Sequence, residues 1–294
     1  MESIKDQQII KIGIVGNPQA IKERMSLWKE TSFIKYLSFH TSILIDNLIL
    51  NRDYFLVNDI DELIQHTDAI DLLNLGAEEA FSIFEKTVKA HKPIFFENPF
   101  ILSIEKLKYG SILAKESKVI CQPGLYLRFQ EDIIEQSQKE FRFLESGISI
   151  EESKNLNYSD WLALVTNHVD LLSTLAHSPI KKIDSFALNL NKKANALLNF
   201  RIQFDNGAVG LCTINTQALV EEQVSLLFNE KEQKLIVWAK NDRLSHTFFD
   251  KNCIINALEH FIFTIKGQIA PKVTIFEALN NSELTLGIIN QIGF

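Results

Sequence analysis

The sequence predicts an α/β chain of two domains: a doubly wound parallel sheet, then a domain of helices and an antiparallel sheet. Three observations carry that expectation. Short apolar runs alternate with helical patterns over residues 9–121, the order that consecutive βαβ units produce. Beyond Pro123-Gly124 the hydrophobic period changes to two. The chain has 294 residues, 46% of them apolar, enough for two cores at ~100–200 residues per domain. The expected domains are residues 1–122 and 123–294.

Residues 9–15 (IIKIGIV) read as a buried strand, followed by Gly16-Asn17-Pro18 and a helix with Ile21, Met25 and Trp28 at helical spacing. Apolar segments at 36–39, 43–50 and 54–57 lead to a short amphipathic stretch at 59–65. A buried strand at 69–75 precedes a helix at 78–90 with Phe81, Phe84 and Val88 on one face. Strand 93–97, helix 103–117 and strand 119–121 complete the series. In the second domain, helices are expected at 130–143 and 158–175. Phe200, Ile202 and Phe204 then alternate with Arg201 and Gln203 up to Asp205-Asn206-Gly207, a hairpin turn because Asn-Gly tolerates positive φ. Further strands are expected at 208–214, 223–228 and 234–239. Of two closing helices, the first carries an apolar stripe of Ile254, Ile255, Leu258, Phe261, Ile262 and Ile265, stopped by Gly267 with Pro271 beyond. The second opens with Thr274 and Glu277, spaced as a capping box.

Composition narrows the function. Thirty Lys and Arg against 37 Asp and Glu give a net charge of −7, and there is no basic run, so nucleic acid is not an expected partner. Cys121, Cys212 and Cys253 lie far apart and form no CxxC or Cys/His cluster, which argues against a disulfide framework or a zinc site. His177, His246 and His260 show no ligand spacing, so no metal is expected. The N-terminus has no signal-peptide core, and no stretch approaches the ~18 apolar residues of a membrane helix. A soluble, cytoplasmic protein with no membrane partner is expected. Eleven glycines are few, because about 7% of residues is usual. Glycine-dependent phosphate loops are correspondingly scarce.

Five segments carry a family resemblance. His91-Lys92-Pro93-Ile94-Phe95-Phe96-Glu97-Asn98-Pro99 looks like a "GKHVxxEKP" strand and loop, and residues 124–129 (GLYLRF) like a "GxxxRF" crossover. Residues 167–172 (NHVDLL) look like an "HxxDLL" helix, and residues 206–210 (NGAVG) like an "NGAxG" hairpin. Pro271-Lys272-Val273-Thr274 with Glu277-Ala278 is similar to a closing "PxVTxxDA". In this order, from residue 9 to near 290, the chain resembles the Gfo/Idh/MocA family of glucose–fructose oxidoreductases, inositol dehydrogenases and relatives.

The resemblance implies a Rossmann-type domain followed by an α+β domain with an open, mostly antiparallel sheet. It also implies NAD or NADP as cofactor, a hydroxylated small molecule such as a sugar or cyclitol as substrate, and a homo-oligomer formed through the C-terminal sheet. Carried over by position, Gly16, Asn17, Pro18, Glu97 and Pro99 fall on the cofactor side. Asn98, Asn167 and His168 fall at catalytic places, and Arg128 and Asp170 on the substrate side.

The residues depart from the family pattern at three places. A dinucleotide loop uses three glycines, for the turn, for close approach to pyrophosphate and for helix–strand packing. Here those places are Gly16, Pro18 and Ile21, and Asn17 with Pro18 also reads as an ordinary helix start. Phe39-His40-Thr41 stands at the end of the second strand, where an acidic residue would hold a ribose. Asn98 replaces the family's lysine, and an amide orients a hydroxyl but transfers no proton near neutral pH. Aligned on Asp170, Ala163 and Asn167 take the places of the family's Asp and His, with His168 about 100° round the helix. Arg128 serves equally as a carboxylate or sugar ligand or as an ion-pair partner. Trp161 and Tyr158 favour packing over sugar stacking, and Glu151-Glu152 and Glu221-Glu222 read as solvated pairs.

Two functions from different classes follow. One is an NAD(P)-dependent oxidoreductase acting on a sugar, cyclitol or similar molecule. The alternative is a non-catalytic family member that binds a small ligand or a protein partner.

Overall fold

A computed structural model describes residues 10–31, 34–40, 54–57, 59–136, 138–151, 156–190, 193–219, 222–228, 233–239 and 249–292. The apolar segment at 43–50, Thr41, Glu152, Glu221 and His246 lie outside them. The chain divides into two units, residues 1–124 with 254–279, and residues 125–253 with 280–294.

The first unit is built on β1 (Ile10–Val15), α1 (Pro18–Glu30), β2 (Ile34–His40), β3 (Tyr54–Leu56), α2 (Ile60–His66), β4 (Ala69–Leu72), α3 (Ala77–Lys89), β5 (Ile94–Phe96), α4 (Ile104–Ser117) and β6 (Cys121–Pro123). Its six strands run in the order β3-β2-β1-β4-β5-β6 and every pairing is parallel. This is the doubly wound, Rossmann-type order, with the chain reversing direction across the sheet between β1 and β4. The central strands are continuous apolar runs because helices cover both faces; β4 and β5 are buried at every position. Asn17 and Ser103 cap α1 and α4 by accepting from the amides of Ala20 and Lys106.

The second unit contains α5 (Glu131–Gln136), β7 (Phe143–Glu151), α6 (Tyr158–Ala176), β8 (Ile180–Leu190), β9 (Lys193–Phe204), β10 (Val209–Ala218), β11 (Glu222–Phe228) and β12 (Gln233–Ala239). The sheet order is β12-β11-β7-β10-β9-β8. Only β7 with β10 is parallel; the other pairings are antiparallel, as the mostly antiparallel expectation requires. Strands β7 and β10, and β9 from Leu197 onward, alternate between buried and more exposed residues. Leu144, Ile148, Leu198, Phe200, Ile202, Cys212 and Ile214 are buried, while Arg201 and Gln203 face outward. The hairpin turn at Asp205-Asn206-Gly207 joins β9 to β10, with Gly207 at φ +84° and its amide on the Phe204 carbonyl at 3.0 Å.

Three elements differ from the sequence expectation. The helix expected at 130–143 is the short α5, and strand β7 begins at Phe143. Strand β8 has no counterpart in the sequence reading because it is an edge strand with exposed Phe186 and Leu188 rather than a regular buried alternation. The third concerns α7 (Lys251–Ile265) and α8 (Ile275–Ile292). Residues 254–279 belong with the first unit, so the second unit is not the uninterrupted span 123–294. The apolar stripe of α7 explains the return. Phe261 meets Phe95 of β5 edge-on at 5.8 Å between ring centroids, and the Ala257 carbonyl accepts from Gln122 Nε2 at 2.8 Å. The capping box is present: Thr274 N donates to Glu277 Oε2 at 2.8 Å, and Glu277 N donates to Thr274 Oγ1 at 3.4 Å.

Among the described residues no helix is long and apolar enough to cross a membrane. All three cysteines are buried as free thiols.

Candidate functional site

In the first unit, the loop from β1 into α1 carries Gly16, Asn17 and Pro18. A helix start binds a phosphate through amide hydrogens that have no intrahelical partner. Here that donor set is reduced. Pro18 has no amide hydrogen and Ala20 N donates to Asn17 Oδ1 at 2.9 Å, while Ile21 N makes the first intrahelical bond, to the Asn17 carbonyl at 3.0 Å. Gly16 has an internal reason to lack a side chain, since a Cβ there would stand 2.8 Å from Leu73 Cβ. Ile21 is fully buried and takes the helix–strand contact that glycine makes in a dinucleotide loop.

Glu97 ends β5 and is buried, as are Asn98 and Pro99 after it. The Glu97 carboxylate accepts a hydrogen bond from Arg24 Nη2. Arg24 projects from the inward face of α1, between Ile21 and Trp28, and none of its surface is exposed. Its Nε lies 3.7 Å from Asp71 Oδ2, and its guanidinium carbon sits 5.4 Å from the Phe95 ring centroid. Asp71 also accepts from Trp28 Nε1 at 2.7 Å. Two carboxylates and one guanidinium therefore share a site in which Arg24 and Asp71 are fully buried and Glu97 is 9% exposed. Burial pushes the Asp71 carboxyl up to about 6; Arg24 opposes the rise, Glu97 adds to it, and the Trp28 hydrogen bond opposes it.

The sign of the linkage follows. The folded chain holds a proton on Asp71 between pH ~4 and ~6 that the unfolded chain has released, so this contribution is complete at low pH and is lost as pH rises through about 6. Urea midpoints of the native chain and of Asp71→Asn, measured from pH 4.5 to 7.5, are expected to diverge with pH. The native chain loses about 2 kcal/mol relative to the variant over that range. Parallel pH profiles for the two would contradict this account.

Gly124, at the end of β6, brings the crossover against the Glu97–Asn98 turn. Its amide donates to the Phe96 carbonyl at 3.0 Å, and a Cβ there would lie 2.1 Å from the Glu97 carbonyl oxygen. Because the obstacle is backbone, no rotamer change relieves it. Gly124→Ala is expected to cost about 1–3 kcal/mol or more in a chemical melt, against a few tenths for Gly76→Ala, where a Cβ meets nothing within 4 Å.

The second unit holds the remaining candidates. Arg128 lies on a single 3-10 turn, Tyr126–Phe129, and grips Asp170 of α6 with both prongs, Nε to Oδ2 and Nη2 to Oδ1, each at 2.6 Å. Asn281 of α8 donates to the same Asp170 Oδ1 at 2.6 Å. His168 is fully buried, and its Nδ1 lies 2.8 Å from Ser146 Oγ on β7. Asn167 is 1% exposed, and its Nδ2 donates to the Ala163 carbonyl one turn earlier at 3.0 Å. Arg128 and Asp170 are thus brought together as an ion pair, while His168 and Asn167 bond to different elements. Trp161 is buried and Tyr158 exposed.

Sequence reading missed Arg24, Asp71, Ser146 and Asn281. For two of them a signal exists: Arg24 falls on the apolar stripe of α1, and Asp71 interrupts an otherwise apolar strand. Among the described residues no group of three or more His, Cys, Asp or Glu gathers in metal-binding geometry. Burial, reinforced by nearby Lys272, pushes His260 down to about 4, so this imidazole stays neutral at physiological pH beside Gln122.

No protein-family model matches the chain, and no curated protein sequence matches it. Solved structures do. A structure assigned as a myo-inositol dehydrogenase from Sinorhizobium meliloti superposes with a TM-score of 0.82 at 14% identity, covering 96% of this chain and 97% of that one. A scyllo-inositol dehydrogenase from Lactobacillus casei, solved with NAD(H) and scyllo-inositol, gives 0.78 at 14% identity over 97% of each chain. A UDP-N-acetylglucosamine 3-dehydrogenase from Acidithiobacillus ferrooxidans gives 0.77 at 13% identity, covering 97% of this chain and 98% of that one. From end to end, then, this chain has the fold of inositol and sugar dehydrogenases, with little of their sequence.

Proposed function

We propose that this protein is a dehydrogenase-like member of the oxidoreductase fold that has set aside hydride transfer and works by binding a ligand or a partner. The observation that carries the reading is that groups of the chain itself occupy the nucleotide side. Pro18 offers no amide hydrogen, the Ala20 amide is capped by Asn17, Leu73 packs against Gly16, and Glu97 is held by Arg24. These residues do not fit a pyrophosphate, so no catalytic step is routed through NAD or NADP. On the substrate side, Arg128 and Asp170 neutralise each other and the His168 ring is turned to Ser146. Asn98, at the place of the family's lysine, offers neither a general acid nor a general base.

The second reading is an NAD(P)-dependent oxidoreductase acting on a sugar, cyclitol or similar molecule. It is favoured by the likeness in fold to a dehydrogenase solved with NAD(H) and scyllo-inositol. A thermal-shift titration with NAD+, NADH, NADP+ and NADPH separates the two. A ligand at 100 times its Kd stabilises by about 2.7 kcal/mol, a shift of two degrees or more. The proposal expects no saturable shift at millimolar nucleotide. A saturable shift with one nucleotide overturns it and directs the search to turnover of inositols and sugars.

For the partner, we propose a second copy of this chain on the outward face of the β7–β10–β9 sheet, where Phe143, Leu197, Val209 and Leu211 are half-buried. Sedimentation of the native chain and of Leu211→Arg tests it, with a dimer expected only for the native chain.

A further inference from the structure

The first unit also carries a concave feature whose lining includes neither the β1–α1 loop nor Glu97. A cavity of about 560 Å³ lies between the C-terminal half of α4, strand β6 and the first turn of α8. That volume falls within the range of small-molecule sites, ~300–1,000 Å³. Its walls are mostly carbon: buried Ala114, Cys121, Val273 and Ile275, with half-buried Val119 and exposed Phe276. Phe276 is 59% exposed and Ile112, on the opposite rim, 56%. Large apolar side chains left open to water on both lips of a cavity are a cost that an apolar occupant removes.

The charge at the rim is one-sided. Lys115 and Lys118 both line the opening, and among the described residues neither has an ion-pair partner. Elsewhere in this unit lysines reach carboxylates, Lys86 to Asp61, Lys89 to Glu85 and Lys106 to Glu78. The two at the cavity do not. The nearest acid on the α8 side, Glu277, is committed to the cap of its own helix through Thr274.

We propose that this cavity binds a small amphipathic anion, an acyl or aryl body seated on Ala114, Val119, Val273 and Phe276 with its carboxylate between Lys115 and Lys118. The apolar walls supply the affinity through buried area, and the lysine pair selects an acid over a neutral molecule of the same shape.

Decanoate and decanol, below their aggregation limits, are the probes, with 8-anilinonaphthalene-1-sulfonate as fluorescent reporter. The expected result is saturable binding of one reporter per chain and its displacement by decanoate at least 10-fold more effectively than by decanol. The Lys115→Glu/Lys118→Glu variant, altered only at exposed positions, is expected to stay folded with a slightly lower melting temperature, because both charges lie at the C-terminus of α4, and to lose decanoate affinity at least 10-fold. Phe276→Asp is expected to weaken both probes. The proposal fails if the charge-reversed chain binds decanoate as the native chain does, or if decanol competes equally. It also fails if the native chain binds neither probe, or if it forms a dimer that Phe276→Asp dissociates, which would make the cavity a contact between copies.

Discussion

Arg24→Met is expected to remove about 3–5 kcal/mol of folding stability at pH 7.5, read from the urea midpoint, because it strands two buried carboxylates. Arg24 is the cation that Glu97 and Asp71 share, and neither its backbone environment nor its stem is reached by water. Methionine fills much of the same volume and so isolates the charge. The loss is expected to shrink at pH 5, where the Asp71 carboxyl is protonated and no longer needs the cation. Arg24→Met combined with Asp71→Asn and Glu97→Gln is expected to recover much of the deficit, since a neutral set of similar shape avoids the desolvation. A loss below about 1 kcal/mol for the single variant would mean that water reaches the cluster.

Asp170→Leu is expected to have an effect of similar size, about 3–5 kcal/mol, because it leaves the Arg128 guanidinium facing an apolar side chain. Arg128 keeps only 12% of its side chain exposed and Asp170 keeps 1%, so solvent offers little compensation. The amide of Asn281 loses its acceptor as well. The double variant Arg128→Met/Asp170→Leu separates the pair from its parts. Its loss is expected to be well below the sum of the single losses, giving a coupling of 0.5–3 kcal/mol, about the range for residues in direct contact. Additive losses would show that Arg128 finds another anion when Asp170 is gone.

Much of the fold is legible in the sequence because its two periodicities are clean. In β4 and β5 nothing but apolar side chains and one acid need be buried, and in β9 the alternation of Phe200, Ile202 and Phe204 is uninterrupted. Strand β7 is obscured by Ser146. Its inward face runs Leu144, Ser146, Ile148, Ile150, and a polar residue at the second position breaks the pattern. That serine is inward because it pairs with His168, a partner 22 residues away that no local period reveals. The site was harder to read for the same reason. The role of Glu97 depends on Arg24, 73 residues earlier, and that of Asp170 on Asn281, 111 residues later. Residue identity names the candidates; only three-dimensional pairing decides whether a carboxylate faces a ligand or a guanidinium.

The return of residues 254–279 to the first unit bears on the order in which the chain matures during synthesis. Until α7 emerges from the ribosome, the face of β5 at Phe95 lacks Phe261, and Gln122 lacks the Ala257 carbonyl. The nascent amino-terminal half thus leaves part of its sheet, at β5 and β6, uncovered and exposed to chaperones and to like chains until the last helices are translated. A stop codon anywhere before the end of α7 would leave that face permanently open, so truncated products of this protein are expected in inclusion bodies rather than as a soluble amino-terminal domain.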